Sequence, residues 1–314
     1  MYDHSKSFHP IILLNTLGKL IEKVIAKILQ FHIAANDFIY LSQLGGLKFK
    51  STTDVDIALT HIIYSGWVKN NTTSTIAFDI TQFFLSLNHR LLTCILQKAG
   101  LDIHIVNFFT NYLIGKKTNY VWNNFSSSTF KVNIGVGQGS ALSPILSALY
   151  FSLFLYILEK CLKNLNIPIS IISFMDNGLF ISQNKSIDIS YSRLFYNYNV
   201  ITKLLDKFGL IVEHFKTEVF HFNRLHSLFN PSSLNLSSIG GPVLTPKNLW
   251  KYLGFIFDRK LSFYHYINYY SNKAISIVKC MKLIGNSSYS IIPTQKHLLY
   301  RCCILSIALY GFQL

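Results

Sequence analysis

Apolar positions along this chain change their period several times, and each change marks an element. Between Leu13 and Leu29, residues Leu14, Leu17, Ile21, Val24, Ile25 and Ile28 recur at three- and four-residue steps, with Lys19, Lys23 and Lys27 on the other face. That spacing predicts an amphipathic helix packed through its apolar stripe. A second helix is predicted after Ser51-Thr52, with Asp54 in its first turn and Val55, Leu59, Ile62 and Ile63 as its stripe. Gly45-Gly46-Leu47-Lys48-Phe49-Lys50, between the two, reads as a flexible basic loop suited to phosphates. From Thr75 to Ile80 the residues are β-branched and apolar, which predicts a central strand with Asp79 at its end. Helical spacing returns over 88–99 and 103–114, followed by a hairpin over 118–134, the cluster Gly135-Val136-Gly137-Gln138-Gly139 and a long apolar helix.

Two short β-rich runs, 169–173 and 178–182, flank Phe174-Met175-Asp176-Asn177. They predict a hairpin turning at Asp-Asn-Gly, with Asn and Gly at positive φ and Asp176 projecting toward solvent. A helix over 190–208, strands near 218–222 and 251–257, and two helical segments joined around 285–293 complete the pattern. Ser227 to Pro246, rich in Ser, Asn, Gly and Pro, reads as a long loop.

Half of the 314 residues are apolar, enough for a large core, and 29 Lys and Arg against 14 Asp and Glu give a net charge of +15. The excess points to a polyanionic partner, either nucleic acid or an anionic membrane. Ala141 to Leu158 carries no charge and is borderline in length for a membrane span. Pro144 near its start, and Ser143, Ser147 and Ser152 along it, favour a buried core helix instead. The opening residues 1–9 are polar and the next apolar stretch is broken by Lys19, Glu22 and Lys23, so no secretory signal is read and an intracellular protein is expected. The five cysteines, Cys94, Cys161, Cys280, Cys302 and Cys303, lack C-x-x-C or His spacing and are expected to be buried small hydrophobes. A dinucleotide-binding reading of the glycine cluster fails, because Ser140 stands where a third glycine is required.

Asp79 and Asp176 meet if their strands are neighbours in one antiparallel sheet. Two acids converging on a solvent-facing sheet can hold Mg²⁺, which takes one or two carboxylates plus substrate phosphates. On those two residues alone, the reading of Asp176 as an ordinary turn residue would win.

The surrounding residues carry a resemblance. Ala77-Phe78-Asp79-Ile80-Thr81-Gln82-Phe83-Phe84 resembles the first palm motif of reverse transcriptases, and closely that of non-LTR (LINE-type) retrotransposons in fungi. Segments similar to others of that family follow its order. Pro10 to Lys23 resembles the opening fingers segment, with His9 where the family usually has Arg, and Gln43 to Asp54 the next fingers segment. Gly137-Gln138-Gly139-Ser140-Ala141-Leu142-Ser143-Pro144 is similar to the nucleotide and template pocket motif. Lys216 falls at the family's acid lysine, and Trp250-Lys251-Tyr252-Leu253-Gly254 resembles the primer grip.

The resemblance implies an α+β right-hand polymerase fold, with partial fingers over 1–72, a palm with an antiparallel sheet and inserted fingers elements over 73–258, and a truncated helical thumb over 259–314. It implies an RNA-directed DNA polymerase that uses an RNA template, a DNA primer and dNTPs, with a nuclear location. Asp79 and Asp176 would bind two Mg²⁺ ions, Phe84 would lie under the sugar and select deoxynucleotides, and Gln138 and Gly139 would shape the pocket. Lys216 would protonate pyrophosphate, Lys48 and Lys50 would hold phosphates, and Trp250, Tyr252, Leu253 and Gly254 would contact the primer. Asn177 departs from the family, which has a second Asp there. An amide oxygen can coordinate but is uncharged, so impaired turnover or a preference for Mn²⁺ is expected. A catalytically inactive nucleic-acid-binding remnant of the same fold is the alternative, and a membrane-associated protein is the weaker third reading.

Overall fold

The computed structural model describes residues 11–165, 168–224, 233–236, 240–284 and 292–311. His9, Pro10, most of the joint over 285–293 and parts of the loop over 227–246 lie outside them.

Two helices, α1 (Thr16–Ala35) and α2 (Thr52–Val68), precede the first strand, β1 (Thr72–Asp79). Helices α3 (Phe83–Ser86), α4 (His89–Lys98) and α5 (Ile103–Leu113) follow. The predicted hairpin is then built from β2 (Lys116–Thr118), β3 (Val121–Trp122), β4 (Phe125–Ser126) and β5 (Phe130–Val132). Helix α6 (Ser143–Asn164) leads into β6 (Ser170–Phe174) and β7 (Asn177–Asn184), and α7 (Ile187–Lys207) leads into β8 (Glu218–Phe222). Strands β9 (Leu234–Asn235) and β10 (Val243–Leu244) pair with each other inside the stretch expected to be a loop. A hairpin of β11 (Leu249–Tyr252) and β12 (Phe255–Asp258) precedes α8 (Tyr264–Ile284). Helix α9 (Pro293–Leu299), a π-helical stretch Tyr300–Leu305 and α10 (Ser306–Ala308) close the described chain.

The centre is an antiparallel sheet in the order β6-β7-β1-β8. Successive side chains of a strand point to opposite faces, and here both faces are covered. Ile76, Phe78 and Phe180 join a core with α4, α6 and α7, while Ala77, Leu179, Ile181, Phe220 and Phe222 join a second core with α2 and the β11–β12 hairpin. The sheet is therefore not solvent-facing as expected. β1 is buried over its six inner residues, and only its ends, with Asp79 at one of them, reach partial exposure.

Helix α6 is long and apolar enough to cross a membrane, yet two thirds of its most apolar window is buried among the chain's own elements. It packs on α1, α4 and α7 and so serves as the core helix expected.

The apolar stripe of α1 is not its packed face. Leu17, Ile21, Val24 and Ile28 are exposed, whereas Glu22, Ala26, Leu29 and Ile33 are buried. Glu22 determines that rotation. Its carboxylate accepts hydrogen bonds from the Tyr112 hydroxyl (2.6 Å), the Ser140 hydroxyl (2.8 Å) and the Ala141 amide (3.0 Å). A buried carboxylate with several donors is tolerated, and without them it is not. The cysteines also differ from expectation: Cys94, Cys280, Cys302 and Cys303 are exposed and Cys161 is half-buried.

Candidate active site

Register brings the two aspartates together. Asp79 is the Cα partner of Asn177 across β1 and β7, and Phe174 is the partner of Asn177 across β6 and β7. That leaves Met175 and Asp176 as a two-residue loop beside the end of β1, where the Ile80 amide donates to the Asp176 carbonyl at 3.2 Å. The positive φ falls on Met175, at +57°, while Asn177 and Gly178 are strand residues, which corrects the expected Asp-Asn-Gly turn. A bulky residue held in the left-handed region is strained and needs its surroundings to hold it there.

Those surroundings are Gly45 and Gly46. Residues 42–44 lie along β6: the Leu44 amide donates to the Ser173 carbonyl and the Ser173 amide to the Ser42 carbonyl, both at 2.8 Å. Chain geometry then sets Gly45 against the loop, where an added Cβ would stand 2.1 Å from the Met175 amide nitrogen and 2.8 Å from the Phe174 carbonyl carbon. These glycines provide close approach, not the flexibility expected of them. Lys48 and Lys50 follow within a few residues, both exposed, with the Lys48 ammonium 4.7 Å from the Phe49 ring centroid. Gly45→Ala is expected to push the loop out of place and destabilise the fold by roughly 1–3 kcal/mol or more. A melting temperature unchanged from the parent chain would contradict this.

Asp176 is partly buried, and its carboxyl is pushed up to about 6, first by that burial and then by the neighbouring Asp79 charge. Lys216, in a 3₁₀ turn at His214–Lys216, places its ammonium 2.7 Å from Asp79 Oδ2. That contact raises the Lys216 pKa. The Asn177 amide nitrogen stands 3.4 Å from Asp176 Oδ1. Two adjacent carboxylates, one of them disfavoured as an anion, form a donor set that a divalent cation relieves. Asp79 and Asp176 thus fit Mg²⁺ as far as two carboxylates can. Asn177 can offer only a neutral amide oxygen, by rotating its amide.

The glycine cluster lies beside the residues that follow β1. The Val136 amide donates to the Phe84 carbonyl (2.6 Å) and the Gly135 amide to the Leu87 carbonyl (2.8 Å), so the loop is laid against the segment that follows β1. Gly135 has φ +84°, and a Cβ there would lie 2.5 Å from the Leu85 carbonyl oxygen. Phe84 is half-buried beside this loop, Gln138 is half-buried and Gly139 is exposed.

Trp250 and Tyr252, expected to touch a primer, are buried. Alternation along β11 points both into the second core, where Trp250 Nε1 donates to Glu218 Oε2 at 3.0 Å. The turn they support does reach the surface. Leu253 and Gly254 are half-buried and both have positive φ, and their carbonyls accept from the hydroxyls of Tyr310 (3.3 Å) and Tyr270 (2.8 Å).

Sequence reasoning did not find Glu213. Its amide donates to the Asp79 carbonyl (2.8 Å) and its carboxylate accepts from the Thr81 hydroxyl (3.2 Å), which adds a third acid near the site. The signal available was the scarcity of acids: only 14 occur, and Glu213 lies three residues before Lys216.

Comparison with known proteins fits this geometry. A curated relative, the retrovirus-related Pol polyprotein from the type-1 retrotransposable element R2 of Popillia japonica, is 25% identical over 146 residues, which is 46% of this chain and 20% of the relative. Among solved structures, telomerase from Candida tropicalis in complex with a fragment of telomeric RNA superposes with a TM-score of 0.56 at 16% identity, over 92% of this chain and 47% of that one. Apo telomerase of the same organism, truncated from its C-terminal domain, gives 0.53 at 17% identity, over 76% and 44%. The chain thus spans about a fifth of that curated relative's length and less than half of each telomerase chain, and it shares their right-hand polymerase fold. Residues 2–257 match the family model described as reverse transcriptase (RNA-dependent DNA polymerase), and the chain belongs to that family.

Proposed function

We propose that this chain is the polymerase domain of a retrotransposon, copying an RNA template into DNA by nucleotidyl transfer from a dNTP to a primer 3′-hydroxyl. The observation that supports it best is the meeting of Asp79 and Asp176 at one end of the sheet, with Lys216 on Asp79. In this reading Asp79 and Asp176 hold Mg²⁺, or Mn²⁺ in its place, together with the triphosphate. The bound ions supply activation of the primer hydroxyl and stabilisation of the pyrophosphate leaving group.

The remaining work falls to the protein. Lys216, which holds Asp79 at 2.7 Å, would be the nearby acid for pyrophosphate once Asp79 served a cation. The Phe84 carbonyl accepts from the Val136 amide, and the ring would lie under the sugar and exclude a 2′-hydroxyl. Gln138 and Gly139 line the base side of the pocket, Lys48 and Lys50 neutralise phosphates, and the turn Leu253-Gly254 takes the primer end. Asn177 favours a second reading, the same fold binding template and primer without synthesis.

Primer extension on RNA with dNTPs and Mg²⁺ or Mn²⁺ tests the first reading. Extension is expected to vanish in Asp79→Asn, and Phe84→Ala is expected to admit ribonucleotides. If neither this chain nor Asn177→Asp extends a primer that both still bind, the polymerase reading is lost and the binding reading stands. Binding through phosphates must in either case weaken as salt rises.

A further inference from the structure

The hairpin of β2 to β5 carries features that neither the core nor the site explains. Lys117 and Lys131 are direct cross-strand partners, and both are exposed. Like charges placed opposite each other destabilise a ladder. Farther out, the Tyr120 and Phe130 rings lie 5.2 Å apart, and at the tip Trp122 pairs with Phe125 across the turn at Asn123-Asn124. Tyr120, Trp122 and Phe125 are each more than half exposed. The arrangement is nonetheless ordered: the Ser127 amide donates to the Tyr120 carbonyl, and the Tyr120 amide to the Ser127 hydroxyl, each at 2.9 Å.

A partner that offers anions and π-faces together would suit both the repelling lysines and the four flat rings. The position of the hairpin narrows the choice. β5 runs directly into the Gly135 loop, and at the base of β2 the Lys116 ammonium sits 3.9 Å from the Tyr112 ring centroid. The Tyr112 hydroxyl in turn donates to Glu22, which also holds Ser140 and the Ala141 amide. The hairpin is thus anchored on the loop that borders the candidate pocket.

We propose that this hairpin is a stacking platform for single-stranded nucleic acid, with Lys117 and Lys131 bridging one phosphate and Tyr120, Phe130, Trp122 and Phe125 offering faces to successive bases. That pairing of a basic groove with aromatic faces is how single strands are held without sequence preference. Naming the strand as the incoming template rests on the polymerase reading above, whereas the binding itself does not.

The test is the affinity of the whole chain for a labelled oligouridine RNA, measured across a salt series, with sedimentation to follow self-association. Trp122→Leu and Phe125→Leu keep apolar bulk and remove the flat face, so each is expected to weaken binding at least about fivefold, while Trp122→Phe retains most of it. Lys117→Ala with Lys131→Ala is expected to reduce the salt slope by about 0.7, the share of the one phosphate they bridge on a single strand. The inference is overturned if these variants bind RNA as the parent does, if Trp122→Leu and Trp122→Phe behave alike, or if the parent binds no RNA. It is overturned equally if the variants alter only self-association, or only binding to phosphatidylserine vesicles, since the hairpin is then a protein or membrane contact. Loss of affinity in these variants alongside failure of Asn177→Asp to extend primers would sink the polymerase reading and leave the platform standing.

Discussion

Asn177→Asp is expected to raise metal-dependent primer extension by on the order of 100-fold or more, and to lower the stability of the metal-free chain. Both effects have one cause. The position faces Asp79 across the ladder and sits next to Asp176, with its amide nitrogen 3.4 Å from Asp176 Oδ1. A carboxylate there would add a third negative charge about 4 Å from an existing one, a repulsion of about 4 kcal/mol at the effective dielectric of a partly exposed site. Without a cation the Asp176 carboxyl, already raised to about 6, is driven further up and the loop is destabilised. With divalent cations the same charge becomes attraction, worth several kcal/mol where charge develops in the transition state. Thermal melts with and without Mg²⁺ or Mn²⁺ therefore read the site independently of turnover. The variant should melt below the parent in chelator and gain more from metal than the parent gains. An equal response of the two proteins to metal would remove Asp176 and its neighbour from any cation site.

The strands of the palm could be read from sequence because β1, β6, β7 and β8 are β-branched or aromatic and buried. Asp79 and Asp176 stood out because each ends such a run. What could not be read was where polar burial overrides apolar spacing. In α1 the hydrophobic period pointed to Leu17, Ile21, Val24 and Ile28, but the donors of Tyr112, Ser140 and Ala141 turn Glu22 inward, and periodicity carries no record of partners distant in sequence. The loop of Met175 and Asp176 escaped for a similar reason. Turn chemistry places Asn and Gly at positive φ, yet the register Phe174 to Asn177 forces Met175 there, and the contact that holds it comes from Gly45 and Gly46, far away in the chain. Motif resemblance singled out the segment Trp250 to Gly254 but could not say which of its side chains face out. Strand alternation decides that, and it buries Trp250 and Tyr252.

The steepest pH dependence of stability is expected from a residue outside the site, Asp56 on α2. It is fully buried, neither carboxylate oxygen has a hydrogen-bond partner among the described residues, and the nearby Tyr252 hydroxyl is buried and unpartnered as well. Burial alone pushes its carboxyl up to about 9, from an ordinary 3.8. The folded chain therefore keeps a proton there that the unfolded chain has lost above pH 4. Stability from this group is complete below the unfolded value and declines as pH rises toward 9, at no more than about 1.4 kcal/mol per pH unit. Asp176, raised to about 6, adds a decline of the same sign at lower pH, while His214 and His221, both held below their ordinary value by burial, act in the opposite sense as pH rises through 6.5. Between pH 7.5 and 9 these others have finished titrating and Asp56 acts alone among them. Asp56→Asn removes the ionisation without changing the shape, so it is expected to stabilise the chain at pH 8 by a few kcal/mol and to flatten its urea midpoint across that interval. A parent midpoint already flat from pH 7.5 to 9 would mean that Asp56 has a partner when folded, with the polar atoms of Asp56 and Tyr252 satisfying one another through water instead of lying bare against the second core.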